Sequence, residues 1–155
     1  MCGIAGYSLS DDSAVDQTLA TQTLLAAISE RGSDAVGYAY RGRDVELVVH
    51  KQRGGASAFL DRLAVPVGAR EVLIHVRDYT KGHPSLTANN HPIRHGSVVG
   101  IHNGIIVNDE EILASHGFER AEPGMTVDSE AIFALAEEAS SRPAALEELH
   151  GSMAS

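Results

Sequence analysis

The spacing of apolar residues changes along the first quarter of the chain. Residues 4–9 alternate between apolar and polar side chains, which predicts an opening strand. Residues 11–13 (Asp-Asp-Ser) offer side chains that can cap a helix. Apolar residues at helical spacing follow at Val15, Leu19, Leu24, Leu25 and Ile28. We therefore expect a helix that ends at residues 31–34, Arg-Gly-Ser-Asp.

The next segments have the composition of strands. Residues 35–40 and 45–50 predict a hairpin that turns through residues 41–44. A short helix is expected over residues 56–63. Residues 71–76 contain a compact run of aliphatic, mostly β-branched side chains, which predicts a further strand.

A long functional loop is predicted over residues 77–95, because this stretch contains two prolines, a glycine and two asparagines. Residues 97–102 predict a strand that ends in Asn103-Gly104, a dipeptide typical of turns.

Three helices are expected in the last third. The first runs from Asn108 or Asp109 to about residue 115, with Gly117 as its stop signal. The second covers residues 128–139, and the third begins at Pro143 and ends near residue 151. This order of elements predicts an α/β or α+β layered domain with substantial antiparallel sheet.

Composition and charge limit the possible functions. The chain has 155 residues, 43% hydrophobic and 21% charged, which fits one ordinary globular domain. Its net charge of −9 argues against nucleic-acid binding, which needs a positive surface. No apolar run approaches the roughly 18 residues that a membrane span needs, and no secretory signal is recognisable. A single cysteine cannot form an internal disulfide, so the cytoplasm is the expected compartment.

That cysteine, Cys2, is either a small buried residue or a nucleophile. If Met1 is removed, the α-amino group of Cys2 becomes free on the residue that carries the thiol. An α-amine has a pKa of about 7.7–8.0, so its neutral fraction at cytoplasmic pH can act as a general base. A thiol with a pKa of about 8.5 needs such help. Position alone favours the structural interpretation of Cys2.

Short sequence blocks follow one another along residues 2–130. They are Met1-Cys2-Gly3-Ile4-Ala5-Gly6, Arg31-Gly32-Ser33-Asp34 with Gly37-Tyr38-Ala39, His75-Val76-Arg77-Asp78-Tyr79-Thr80-Lys81-Gly82, Asn90-His91-Pro92, His102-Asn103-Gly104-Ile105-Ile106 and Asp128-Ser129-Glu130. In this order they resemble the blocks of the class II glutamine amidotransferases, a group of N-terminal-nucleophile hydrolases. Each block is weak alone, but the ordered series makes coincidence remote and favours Cys2 as the nucleophile.

The resemblance implies a fold and a reaction. The fold is α+β, a four-layer αββα sandwich of the N-terminal-nucleophile hydrolase type. The reaction is hydrolysis of L-glutamine to glutamate and ammonia through a thioester on Cys2, with no metal and no organic cofactor. The side chain of Asn103 and the backbone N–H of Gly104 would form the oxyanion hole. In an anonymous sequence the same dipeptide would be only a hairpin turn.

Glutamine is a zwitterion, so its pocket needs a cation and an anion. By resemblance Arg77 binds the α-carboxylate, for which its planar fork is suited, and Asp128 binds the α-ammonium group. Thr80 and Gly82 are expected to line the same pocket. Without the resemblance, Arg77 would be interpreted as a structural or solvated residue and Asp128 as a helix cap.

Some positions need separate interpretation. Arg31 and Asp34 are expected to form a structural or loop-ordering pair near Cys2. Two positions depart from the family pattern, since Asp78 stands where many members carry an aromatic residue and Lys81 where many carry histidine. These departures leave the details of the pocket lining open.

The eight histidines suggest a metal site at first sight. His91 and His95 are four residues apart, but Pro92 prevents a helix from aligning them. The other histidines lack the cysteine or acidic framework of a zinc site. No metal site is therefore expected.

The family's glutaminase domains usually continue for several strands beyond residues 128–130, whereas this chain stops at residues 151–155. We expect residues 2–155 to be one glutaminase domain, truncated or completed by another chain; a compact variant is the third explanation. Ammonia would pass to a synthetase domain or subunit, absent here, and a homo- or hetero-oligomer is an open possibility. Two other functions stay open: hydrolysis of a different amide, and a non-catalytic regulatory module of the same fold.

Overall fold

The computed structural model describes residues 1–139, 143 and 146–154. Its strands are β1 (Gly3–Ser8), β2 (Ala35–Arg41), β3 (Val48–Arg53), β4 (Glu71–Arg77), β5 (Ile93–His95), β6 (Val98–Gly100), β7 (Asn103–Ile106) and β8 (Gly151–Ala154). Its helices are α1 (Gln17–Ile28), α2 (Ser57–Leu60), α3 (Asp109–His116) and α4 (Glu130–Glu138). Among the described residues, no helix is long and apolar enough to cross a membrane.

A four-stranded antiparallel sheet with the order β1-β4-β2-β3 forms the frame of the molecule. Strand β4 pairs on both sides, with Val76 opposite Gly3 of β1 and opposite Val36 of β2. Two smaller antiparallel pairs, β5–β6 and β7–β8, lie beyond it. Because β1 begins opposite the end of β4, Cys2 lies beside the loop that leaves β4.

The two faces of β4 differ in chemistry. Successive side chains of a strand point to opposite faces. Val72, Ile74 and Val76 pack with Leu25 of α1 and are at most 1% exposed. His75, on the opposite face, contacts His102, the residue before β7, and His91, which lies shortly before β5. One face of the strand therefore builds the apolar core, and the other is available to a site.

The layers follow the order helix, sheet, sheet, helix. Helix α1 packs on β1 and β4, whereas α4 packs on β5 and β6 and against α3. Between the sheets, Gly37 of β2 lies against the backbone of His91, and the ring of His75 stacks on the ring of His91 with centroids 4.4 Å apart. The α+β fold with αββα layering is confirmed, although the second sheet layer consists of short strand pairs.

The prediction that Asn103-Gly104 forms a turn is wrong, because these residues begin β7. Asn103 pairs with Ala154 and Gly104 with Met153 in β8. Gly104 has φ +151°, and a side chain there would overlap the carbonyl oxygen of Ser152. Pairing with a strand some fifty residues away outweighs the local turn preference of the dipeptide.

Other differences are smaller. Asp16, rather than residues 11–13, caps α1, and its carboxylate accepts the N–H of Leu19 at 2.9 Å. Strand β3 begins and ends later than predicted. The predicted loop over residues 77–95 contains a short 3-10 turn and β5. Residues 144 and 145 of the helix predicted from Pro143 lie outside the described residues. Residues 143 and 146 are helical, but residues 147–150 are turn and irregular chain, and β8 begins at Gly151.

The close approach of the two sheets gives a stability prediction. Gly37→Ala should lower the free energy of unfolding by about 1–3 kcal/mol, because the new Cβ would overlap the carbonyl oxygen of His91 and lie 2.7 Å from that of His50. Gly55→Ala is the control, since its nearest neighbour would be the Cα of Ser33 at 3.9 Å. Urea unfolding measures both variants, and equal stabilities would contradict the prediction.

Candidate active site

Cys2 lies against the backbone of Asp78, the first residue after β4. Its Sγ is 3.2 Å from the carbonyl oxygen and 3.4 Å from the backbone nitrogen of Asp78. The thiol can donate to the first, and a thiolate can accept from the second. The ammonium group of Met1 pairs with the Asp78 carboxylate, and Met1 is 79% exposed. Cys2 is only partly buried, which does not fit a structural core residue.

Two side chains hold the main chain of Cys2. The Nδ2 atom of Asn103 and the Nε atom of Arg31 each donate to the Cys2 carbonyl oxygen at 3.1 Å. The amide group of Asn103 has a second N–H, which this hydrogen bond does not use. One amide group therefore fixes the Cys2 residue and keeps a donor for a second acceptor.

A narrow cleft opens in front of Cys2. Among its lining residues are five of those predicted from the sequence: Cys2, Arg77, Thr80, Gly104 and Asp128. These residues come from four separate segments, so only the folded chain brings them together.

Buried, neutral imidazole side chains pack behind this cleft. Burial lowers the pKa of His75 to about 3, although a hydrogen bond to the His102 carbonyl opposes that change. Its Nε2 donates to this carbonyl at 3.2 Å. Burial also lowers the pKa of His102. Its Nε2 donates to the carbonyl of Ser152 at 3.3 Å, which leaves Nδ1 to accept the hydroxyl of Ser129 at 2.8 Å. These contacts fix the residue that precedes Asn103.

His91 completes this layer. It is 4% exposed, and burial holds its pKa well below the ordinary value. Neither of its ring nitrogens has a hydrogen-bond partner among the described residues. Since the ring stacks on His75 and lines the cleft, it is a neutral wall of the site.

Three consecutive polar side chains at the start of α4 are buried. Asp128, Ser129 and Glu130 are 3%, 1% and 0% exposed. Asp128 Oδ2 accepts the backbone N–H of Ile106 at 2.7 Å, so the carboxylate is tied to β7. Glu130 Oε2 accepts Arg120 at 3.1 Å. The start of the helix therefore positions the strand that carries Asn103-Gly104.

Arg77 is buried, with 3% of its surface exposed. Its Nη1 donates to the carbonyl of Asn89 at 2.5 Å and to Oδ1 of Asn90 at 2.8 Å. Its Nη2 donates to the carbonyls of Lys81 and Gly82 at 2.6 and 2.7 Å. All four terminal N–H bonds are thus used by the loop. Burial lowers the pKa of Arg77, and neighbouring negative groups oppose that change.

Known proteins share parts of this sequence. No protein-family model matches the chain. The glutamine–fructose-6-phosphate aminotransferase (isomerizing) of Vibrio parahaemolyticus is 33% identical over 126 residues, which cover 76% of this chain and 19% of that protein. The corresponding enzyme of Vibrio cholerae is 33% identical over 114 residues, with coverages of 71% and 17%. The chain spans about a fifth of the length of these relatives.

Solved structures share the fold. One, described as the allosteric regulatory enzyme of purine biosynthesis, has a TM-score of 0.73 at 19% identity and covers 97% of this chain and 34% of its own. The glutamine phosphoribosylpyrophosphate amidotransferase of B. subtilis, with ADP and GMP, has a TM-score of 0.68 at 15% identity and coverages of 99% and 34%. The fold, the sequence similarity and the ordered blocks agree. The chain belongs to the class II glutamine amidotransferase family.

Two of the predicted site residues do not line the cleft directly. Asn103 reaches it through its hydrogen bond to Cys2. Gly82 is not among the residues that line the cleft, and its carbonyl instead holds Arg77. Its φ of +77° explains why glycine stands there.

Arg31 and Asp34 hold separate segments beside the cleft. Arg31 holds the carbonyl of Cys2, whereas Asp34 Oδ2 accepts the N–H of Tyr79 at 2.9 Å. No ion pair joins Arg31 to Asp34 in the part of the chain that the structure describes. Their expected contribution to loop order therefore has a structural basis, but not as a mutual pair.

Sequence reasoning missed the supporting roles of His91, Ser129 and Glu130. Their signal was weak, because isolated polar residues in a loop or at a helix start are usually exposed. The described residues contain no group of three His, Cys, Asp or Glu side chains that could hold a metal ion.

The buried imidazoles predict an acid-sensitive amidotransferase domain. In the unfolded chain His75 binds a proton near its ordinary pKa of 6.5, but in the folded chain only near pH 3. Between these values the unfolded state binds more protons than the folded state. The free energy of unfolding should therefore fall as the pH is lowered, by about 1.4 kcal/mol per pH unit for this residue. His91 and His102 add to the same slope, since their pKa values are also lowered.

Urea unfolding between about pH 5 and pH 7.5 measures this slope. His75→Gln keeps an amide donor for the His102 carbonyl but cannot titrate, so its slope should be shallower. An unchanged slope in this variant would show that His75 does not cause the acid sensitivity.

Proposed function

We propose that this domain hydrolyses L-glutamine to glutamate and ammonia with Cys2 as nucleophile, after removal of Met1. The ammonia would be used by a synthetase domain or subunit. The observation that carries the proposal is the meeting of Cys2 with Asn103-Gly104 at one cleft. A nucleophile next to two donors is the arrangement that acyl transfer from an amide requires.

The reaction would begin with proton transfer from the Cys2 thiol to the free α-amine of the same residue. The sulfur then forms a bond to the side-chain amide carbon of glutamine, and the amide oxygen becomes an oxyanion. The second N–H of the Asn103 side chain and the backbone N–H of Gly104 are the proposed donors to this oxyanion. Both groups are preorganised, because β7 is held by β8 and by Asp128.

Breakdown of the tetrahedral intermediate would cleave the carbon–nitrogen bond. The α-ammonium group of Cys2 returns its proton to the leaving nitrogen. Ammonia departs, and a thioester remains on Cys2. Water, deprotonated by the same amine, then attacks the thioester and cleaves the carbon–sulfur bond. The products are glutamate and the free thiol, so no net proton or electron is consumed.

Binding of the α-ammonium and α-carboxylate groups of glutamine would depend on Asp128, on Arg77 and on the loop that follows β4. Asp128 uses Oδ2 for the N–H of Ile106, and its charge remains available to an ammonium group. Arg77 supplies positive charge, but its terminal N–H bonds hold the loop. We propose that Thr80 and the loop share the α-carboxylate with Arg77, and that Arg77 acts chiefly by charge and by shaping the loop.

The ammonia acceptor belongs to the proposal as well. The aminotransferase relatives are several times longer than this chain, so a synthetase partner would be a further domain or another subunit. A lone thiol nucleophile must stay reduced, which favours a reducing compartment such as the cytoplasm.

The role of the free α-amine can be tested by mass and by labelling. We expect the active protein to lack Met1, and a glutamine-like electrophile such as diazo-oxo-norleucine to add one adduct at Cys2. Cys2→Ala should abolish both labelling and turnover of glutamine. Full activity in protein that retains Met1 would refute the α-amine as the base.

The charge of Asp128 has a separate test. Asp128→Asn keeps an oxygen that can accept the N–H of Ile106 but removes the negative charge. We expect KM for glutamine to rise by roughly tenfold or more with a smaller change in kcat, because the lost interaction binds the ground state. Asp61→Asn, at an exposed position, is the control. An unchanged KM in Asp128→Asn would remove this residue from the binding pocket.

A different amide substrate is the second candidate. One observation favours it: all four terminal N–H bonds of Arg77 are used by the loop. Arg77 therefore has no terminal N–H left to bind the α-carboxylate of glutamine directly. A panel of amides distinguishes the two functions. Cleavage of another amide with glutamine untouched would support the alternative.

A further inference from the structure

Lys81 lines the cleft, but its ammonium group is bound elsewhere. Its Nζ lies 2.7 Å from both carboxylate oxygens of Asp109, the first residue of α3. Glu110 is a weaker neighbour, with its Oε1 at 3.4 Å. Burial lowers the pKa of Lys81, but the hydrogen bond and charge of Asp109 outweigh this and leave it raised. The residue thus stays a cation directed at α3.

The buried negative charge of Asp109 is balanced chiefly by Lys81. Its side chain is only 2% exposed, whereas the side chain of Lys81 is 36% exposed. The next cation, Arg120, lies 3.9 Å away and makes a shorter pair of 3.1 Å with Glu130. A buried carboxylate without a close cation is costly, so Lys81 and Asp109 form a matched pair.

The backbone of Lys81 carries the connection to Arg77. The Lys81 and Gly82 carbonyls accept the two N–H bonds of Arg77 Nη2, at 2.6 and 2.7 Å. The neighbouring residue Thr80 lines the cleft. A residue fixed at its side chain by α3 therefore offers its carbonyl to the buried guanidinium.

We propose that Lys81 is a positioning residue for the glutamine pocket. The Lys81–Asp109 ion pair fixes the segment 80–82, which orients Arg77 and presents Thr80 to the substrate. The pair thereby sets the affinity for glutamine and does not act on the reacting atoms. This inference rests on the proposed glutaminase function.

The test compares Lys81→Met, Asp109→Asn and the double variant in the purified protein. Lys81→Met should raise KM for glutamine by roughly tenfold and leave kcat within about twofold, because binding geometry is lost and the chemistry is not. It should also lower Tm, since Asp109 is left as a buried unpaired charge.

The double variant separates positioning from stability. Lys81→Met with Asp109→Asn removes the stranded charge, so Tm should recover towards that of the unmodified protein. KM should remain raised, because segment 80–82 is still not anchored. If KM recovers together with Tm, Lys81 has only a structural role and the inference is overturned. An unchanged KM in Lys81→Met would overturn it as well. Should Lys81→Met fail to fold, the double variant decides.

Two controls complete the design. Lys81→Arg keeps the ion pair and should keep KM within about threefold, whereas a KM as high as that of Lys81→Met would count against the pair. Glu110→Gln removes only the 3.4 Å neighbour, which is 80% exposed, and should leave KM unchanged.

Hydrogen exchange distinguishes failure of this inference from failure of the proposed function. Absence of Cys2-dependent glutamine turnover in the unmodified protein would refute the proposed function. In that case the anchoring of residues 80–82 is judged by exchange of their backbone amides. Faster exchange in Lys81→Met and in the double variant supports the anchor, and unchanged exchange overturns it.

Discussion

The pairing of β4 on both of its edges is the constraint on which the site depends. Because β1 and β2 both align with it, the start of β1 and the exit of β4 lie side by side, and Cys2 meets the backbone of Asp78. The alternation of side chains on β4 then divides apolar core from polar site. Valine and isoleucine face α1, whereas His75 bonds to the carbonyl of His102, the residue that leads into β7. A shift of register by one residue would exchange these faces and remove both the core and the site.

The buried polar residues behind the cleft show how the interior accommodates polar and charged side chains. His75, His91 and His102 are neutral, so their burial does not carry the cost of a buried charge. The buried charges Asp109 and Glu130 have close cationic partners. Such networks add little to net stability, but the removal of one partner is costly, so they favour one geometry over others. A catalytic cleft requires that specificity more than it requires extra stability.

Local sequence predicted most of the regular structure near the site. Strand β1 follows from the alternation of side chains, β2 and β4 follow from the composition of their segments, and the left-handed Gly117 after α3 is a local stop signal. The site residues were predictable only through the ordered blocks, since Arg77 or Asp128 alone has a structural interpretation. Local sequence failed at the Asn103-Gly104 dipeptide, which was predicted to be a turn and is part of a strand. Its turn preference is local, but the partner that makes it a strand, β8, lies far along the chain.

The sequence by itself determined the candidate nucleophile, the family resemblance and the pattern of buried faces, because residue type and spacing carry that information directly. The tertiary structure decided what each polar group binds. It directed the terminal N–H bonds of Arg77 to loop carbonyls, Lys81 to Asp109 and Ser129 to an imidazole. These partners are up to 28 residues apart along the chain. Their choice depends on which buried groups lack water and must find each other, and no local pattern encodes that requirement.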